Sequence, residues 1–255
     1  LNISPDHLER HQNLRKYIDT KFKLIKSQTS NSLAFVKKND ELIYKKLRSK
    51  KFDSKIIKVD TVKNYDFLKK IKNDYFFTKT NKENLSFVIE LSKRLKLKKR
   101  LLLKTIQKFK GLKFRQQIIF KKNNLTIIND SKSTSFYSTI GILKQSSNVF
   151  WILGGIHKKG DKFELKKRDM NNVRAFIFGK NKDFFIRELK NKVEIKYFSD
   201  LKNVLKNIFY LIEKEKLSHN IILFSPCAAS FDSFKNFEDR GQYFNKLIKR
   251  YLNEI

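Results

Sequence analysis

Apolar positions along the 255 residues change their rhythm near residue 111. Before it the spacing is mainly helical. Ser4 suits a helix N-cap and Pro5 a first helical position, and the helical pattern that they open continues through Tyr17 to about Ile25. Short apolar runs at 32–36 and 55–59 predict strands, and helices are predicted over about 82–95 and 98–108. Gly111 then suits a helix terminator and a domain boundary. Beyond it, apolar runs at 125–128, 149–153, 173–178, 193–197 and 221–224 alternate with helical patterns at about 134–145, 182–190, 200–214 and 234–252. That alternation predicts an α/β fold with a mostly parallel sheet covered on both faces. In such sheets ligands bind beyond the carboxyl ends of the strands.

The apolar share of 40% and charged share of 33% describe a globular chain rather than a disordered one. No apolar run approaches the roughly 20 residues of a membrane-spanning helix, and no membrane partner is expected. Leu1 is followed at once by polar, helix-opening residues, unlike a signal peptide, and the single Cys227 has no internal disulfide partner. A cytoplasmic location is therefore expected. The formal charge of +33 invites a nucleic-acid reading. Lysine outweighs arginine, however, although arginine makes the bidentate contacts to bases and phosphates. The lysines are also spread over nearly the whole chain, as a solvated surface would carry them. The charge favours anionic nucleotides without assigning a nucleic-acid partner.

Three predicted strand ends carry unusual chemistry. Asn129-Asp130-Ser131-Lys132-Ser133-Thr134 opens a predicted helix, whose free N–H groups, with Lys132 and the hydroxyls of Ser131 and Thr134, suit an anion. Asp130 suits a ribose hydroxyl; an ordinary capped helix is the plainer reading. Gly154-Gly155-Ile156-His157-Lys158-Lys159-Gly160 permits close backbone approach beside two cations, or a plain turn. It is not a GxxxxGK[ST] phosphate loop, and the chain contains none. The third end runs from Ser225 through Gly241 and reads SPCAASFDSFKNFEDRG. Its Phe231, Phe234, Phe237 spacing favours a core stripe. Neither Ser230 nor Cys227 sits in a GxSxG elbow, which argues against a nucleophile. Near the amino end, Asp6, His7 and His11 invite a metal reading against a default of surface or capping roles.

Taken in order, these stretches resemble the Mur ligases, which are ATP-dependent ligases of peptidoglycan precursor synthesis. LNISPDHLERH at 1–11 is similar to the family's LN(I/V)xxDHLDRH, and Tyr17 to Lys21 to its YxxAK. Asn81 to Asn84 is similar to HNxxN, Arg115 to the arginine of LxHR, and the three strand ends to NDSKxTN, LGGxxKG and SPACASFDxFxNFExRG. The last motif points to the branch that adds D-glutamate to UDP-N-acetylmuramoyl-L-alanine. The resemblance implies His7 as a Mg²⁺ ligand and Lys21 as a carbamylated lysine supporting the metal. Asn81 and Asn84 would approach adenine, Arg115 the ATP phosphates and Asp130 the ribose. Lys132, Thr134, Lys158, Ser230 and Phe237 would surround D-glutamate, with Lys21, Arg115 and Lys132 the catalytic set.

The implied reaction activates the precursor's carboxylate as an acyl phosphate, which the D-glutamate amine attacks. Such chemistry rests on positioning and charge stabilisation rather than on a covalent nucleophile. Departures from the family pattern are Thr80, Phe114 and Ser135 in place of its His, His and Asn, and the exchanged order of Cys227 and Ala228. The glycine turn carries one extra residue, which leaves Lys158 and Lys159 as alternatives. Family members also carry an amino-terminal sugar domain and an ATP phosphate loop ahead of the matched region. Residues 1–112 are expected to be the rear of the ATP-binding central domain, and 113–255 a Rossmann-like carboxy-terminal domain. The chain is expected to be a fragment, monomeric and inactive alone. The alternatives are another amino-acid-adding ligase of the Mur or folylpolyglutamate type, and a non-catalytic basic module that binds nucleic acid.

Overall fold

The computed structural model describes the chain apart from residues 1–2, 4–7, 62–70 and 254–255, and describes Leu8, Glu9 and Phe77 by their backbone alone. The chain divides into two compact units, Leu1–Phe109 and Lys110–Ile255.

In the first unit the amino-terminal helical pattern is broken in two. α1 (Leu8–His11) ends at Gln12, whose φ is 67°, and α2 (Leu14–Lys26) restarts behind Asn13. The Asn13 side chain accepts the Lys16 N–H at 2.9 Å, so a local cap outcompetes the continuous helix expected through Ile25. The expected cap and first-turn residues Ser4 and Pro5 lie outside the described residues. β1 (Leu33–Lys37) and β2 (Lys55–Val59) pair in parallel through α3 (Glu41–Ser49), a helix that the apolar pattern did not predict. Asp40 caps α3 by accepting the Ile43 N–H at 3.1 Å, and Ile43 is its one buried residue. Tyr17, Phe22 and Ile25 of α2 pack with Ala34, Val36 and Ile43. A separate cluster of Leu85, Ile89 and Ile106 joins α4 (Lys79–Arg94) to α5 (Lys99–Lys108).

The second unit is built on six strands: β3 (Gln117–Lys122), β4 (Leu125–Asn129), β5 (Ser147–Leu153), β6 (Asn171–Phe178), β7 (Glu194–Phe198) and β8 (Asn220–Phe224). Their order in the sheet is β3-β4-β8-β5-β6-β7, with β3 antiparallel at one edge and the other five parallel. The helices are α6 (Phe136–Gln145), α7 (Lys182–Leu189), α8 (Leu201–Glu215) and α9 (Phe237–Asn253). Alternate residues of the central strands serve opposite faces, which explains their unbroken apolar runs. On one face Ile127, Phe150, Ile152, Phe176 and Phe224 pack with Val204, Leu205 and Ile208 of α8 and Phe244 of α9. On the other, the Phe136 ring of α6 meets Trp151 of β5 edge-on at 6.1 Å and Phe184 of α7 in a stack at 5.9 Å.

The strand order positions the site. β8, last in sequence, inserts between β4 and β5, so the loops leaving three neighbouring strands emerge side by side at their carboxyl ends. Such a reversal of strand order opens a crevice in a parallel sheet. No helix among the described residues is long and apolar enough to cross a membrane.

Candidate functional site

The three loops are tied together by their own backbones. After β4, the Asp130 N–H donates to Phe224 O at 2.7 Å; after β5, the Gly154 N–H donates to Pro226 O at 3.1 Å. Ile156 and Ala229 then exchange two N–H···O bonds of 2.9 and 2.8 Å, an antiparallel bridge that brings the glycine turn beside Ser230. Glycine is required at this junction. A Cβ on Gly154 would lie 2.2 Å from Phe178 O, and one on Gly155 2.4 Å from Ala229 O, both at positive φ.

The β4 loop also reaches the start of α9. The Ser131 hydroxyl donates to Phe237 O at 2.8 Å, and the Lys132 ammonium stands 3.9 Å from the centre of the Phe237 ring. The Asn129 amide donates to Gly241 O at 2.9 Å and to Asn245 Oδ1 at 2.7 Å. Segments more than a hundred residues apart thus place a cation, an aromatic ring and the Ser131 hydroxyl together.

Beneath the loops lies a buried polar chain. Asp130 accepts the Gln116 N–H at 3.0 Å on Oδ1 and the Ser225 hydroxyl at 3.1 Å on Oδ2. The hydroxyls of Ser225 and Thr139 are 2.5 Å apart, and those of Thr139 and Ser133 3.0 Å. Burial pushes the Asp130 carboxyl up to about 7, against the N–H and hydroxyl donors that favour its anion. Burial likewise pushes the Cys227 thiol up to about 12, which leaves it uncharged at neutral pH and unsuited to act as a nucleophile.

Arg115 rides on a constrained arch. Its neighbours Phe114 and Gln116 have φ of 61° and 45°, costly for side chains of that size. The arch is pinned by the Lys132 N–H donating to Phe114 O at 2.9 Å and by the Gln116 N–H on Asp130. Arg115 itself is exposed.

The residues singled out in the sequence therefore fall into three sets. Lys132 and Phe237 meet directly, Asp130 and Ser230 are buried in the neighbouring loops at 5% and 3% exposed, and Thr134 and Lys158 are half-buried there. In the first unit, Lys21 is half-buried on α2 with its ammonium 5.2 Å from the Tyr17 ring, Asn81 is buried in the first turn of α4 with its amide donating to Tyr75 O at 2.7 Å, and Asn84 is exposed. Asp6 and His7 lie outside the described residues, and the His11 ring packs edge-on against Tyr17 at 5.3 Å. Among the described residues no three His, Cys, Asp or Glu side chains gather to hold a metal ion.

Two expectations change. The helix after β4 begins at Phe136, and its first N–H is not free: Asp161, from the loop after β5, accepts it at 2.9 Å. The Phe231, Phe234, Phe237 stripe is not core. Residues 231–236 form turns rather than a helix, so spacing by three defines no face, and Phe231 is 72% exposed. Sequence reasoning passed over Arg240, whose guanidinium is fully buried under the three loops, although it stands within the quoted motif.

Known proteins are similar to this chain in sequence and in fold. The family model for the Mur ligase middle domain matches residues 1–102. The chain is 30% identical over 276 residues to the UDP-N-acetylmuramoylalanine–D-glutamate ligase of Rickettsia felis, covering 100% of this chain and 61% of that protein. It is 33% identical over 254 residues to the corresponding ligase of Francisella tularensis subsp. tularensis, covering 97% of this chain and 58% of the relative. Its fold is similar to MurF from Acinetobacter baumannii (TM-score 0.64, 13% identity, 97% of this chain and 58% of that one) and to MurC from Thermotoga maritima (TM-score 0.57, 16% identity, 100% and 59%). The chain spans about three fifths of the length of the curated relatives it matches. With relatives that match along its whole length and a fold shared with solved members, the chain belongs to the Mur ligase family.

Proposed function

We propose that the protein containing this chain adds D-glutamate to UDP-N-acetylmuramoyl-L-alanine at the expense of ATP, in the cytoplasm, and that residues 113–255 hold the amino acid. One observation carries the reading: Lys132 and Phe237, from two motifs far apart in sequence, meet at 3.9 Å beside the hydroxyl-lined loops. The relatives that are D-glutamate ligases by name support the same substrate.

In this reading Lys132 meets a carboxylate of D-glutamate, and Ser230, Thr134 and Lys158 complete the donor set. Lys158 is preferred to Lys159 because it is half-buried while Lys159 is exposed. Arg115, held on its arch, meets developing negative charge as the precursor's carboxylate is activated as an acyl phosphate. The amine of D-glutamate then attacks that carbonyl, with no covalent help needed from Ser230 or Cys227. Asp130 has both oxygens engaged and is 5% exposed, which favours an anchoring role over a ribose contact. The family implies Mg²⁺ and a carbamylated Lys21, but the described residues do not by themselves make a cation cage.

Phosphate release by the product of the whole reading frame that contains this sequence tests the proposal. Release dependent on both UDP-N-acetylmuramoyl-L-alanine and D-glutamate is expected. Preference for L-alanine, L-glutamate or a diamino acid would contradict it. The 255 residues alone are expected to release none.

A further inference from the structure

We propose that Arg240 is a positioning residue that holds the three strand-end loops of the amino-acid site in register, an inference that rests on the reading of those loops as the D-glutamate site. Arg240 lies one turn into α9, three residues after Phe237, so the two share a helix face. It is 1% exposed, and among the described residues no carboxylate hydrogen-bonds it.

Its donors are spent on backbone and hydroxyl oxygens instead. Nε donates to Ser131 Oγ at 3.2 Å, and one terminal nitrogen donates both to Ser131 O at 2.8 Å and to Ala228 O at 2.9 Å. The other terminal nitrogen has no acceptor among the described residues and lies 3.1 Å from where a Cβ on Gly155 would stand. One guanidinium therefore hydrogen-bonds the loop after β4 through Ser131 and the loop after β8 through Ala228, and occupies the space beside Gly155, in the loop after β5, that a side chain there would need.

Every proposed substrate contact in those loops is close by in sequence. Lys132 follows Ser131, Ser230 is two residues past Ala228, and Lys158 is three past Gly155. Ser131 Oγ relays the link to Phe237 O. A lysine would keep the charge but lose the planar fork that spans Ser131 and Ala228 together. A methionine would keep most of the volume and lose the hydrogen bonds.

Amide hydrogen exchange along the 255-residue chain, compared for wild type, Arg240→Lys and Arg240→Met, reads the hub directly. Both variants are expected to raise exchange together in residues 129–134, 154–160 and 225–237, with α7, α8 and β7 unchanged. Both are also expected to weaken D-glutamate binding by about tenfold or more, since small misplacements of positioned groups cost factors of that size. Unchanged exchange in the three loops, a rise confined to the residues around 240, or full rescue by Arg240→Lys would overturn the proposal. If an arginine variant does not fold, Ser131→Ala takes its place. It keeps the guanidinium, severs the link to Phe237, and is expected to loosen 129–134 and 235–238; unchanged exchange there overturns the hub. If wild type binds no D-glutamate, the substrate reading falls while the exchange pattern still decides the hub.

Discussion

The ammonium of Lys132 stands 3.9 Å above the Phe237 ring, so the cation is held on an aromatic face rather than left to sample solvent. Lys132→Met is expected to remove a charge-assisted contact worth about 1.5–3 kcal/mol, weakening D-glutamate binding roughly 10- to 150-fold. Phe237→Leu keeps the apolar bulk but not the ring, and is expected to cost about 2- to 5-fold. Isothermal titration of both variants checks the order. A larger loss from Phe237→Leu than from Lys132→Met would contradict it.

Asp130 makes stability depend on pH. Its folded carboxyl is raised from 3.8 to about 7. The folded chain therefore binds a proton that the unfolded chain has lost between those values. The group's stabilising contribution is complete below 3.8 and disappears as pH rises through about 7, a change of about 4 kcal/mol. Asp130→Asn can keep the bond from the Gln116 N–H and, with a turned Ser225 hydroxyl, the second contact. Wild type is expected to lose stability relative to the variant as pH climbs from 4 to 7. Trp151, the single tryptophan and fully buried in β5, reports unfolding of this unit. Parallel curves would show that Asp130 does not titrate as its burial dictates.

Gly241 lies inside α9, where alanine ordinarily stabilises a helix by about 1 kcal/mol. Here a Cβ would stand 2.3 Å from the buried Phe114 ring, at the foot of the arch that carries Arg115. Gly241→Ala is expected to destabilise by about 1–3 kcal/mol instead. The sign, read from denaturant melts, decides.

The amino end of the sheet provides a control. Arg174 of β6 donates to both oxygens of Glu215 at 2.5 and 2.8 Å, and its hydrogen bond holds that carboxyl below its usual 4.5. The pair's contribution is thus present above that pH and lost as pH falls. Glu215→Gln is expected to cost about 1–2 kcal/mol of stability, since Glu215 keeps part of its hydration, and to leave D-glutamate affinity unchanged.

The inner strands β4, β5, β6 and β8 were legible because burial on both faces writes near-continuous apolar runs into the sequence, whereas the edge strand β7, with no fully buried residue, was carried by Val193, Ile195 and Tyr197. β3 was not predicted, although Asn123-Asn124 between Phe120 and Leu125 is a hairpin signal, with Asn123 at φ 52°. An edge strand that ends in Lys121-Lys122 carries too little apolar pattern to announce itself. α3 was missed for a similar reason, since Ile43 alone is buried along its length. At the site, Lys132, Ser230 and Phe237 were legible through motifs. The burial of Asp130, the arch around Arg115 and the hub at Arg240 were not, because each depends on partners about 14 to more than 100 residues away.

The three strand-end loops are proposed to make one site for D-glutamate. Titrating the isotopically labelled 255-residue chain with D-glutamate, and following each backbone amide by NMR, tests it most directly. Saturable shifts are expected in 129–134, 154–160 and 225–237 together, and markedly weaker ones with L-glutamate. Shifts confined to a single loop, centred elsewhere, or indifferent to the enantiomer would contradict it.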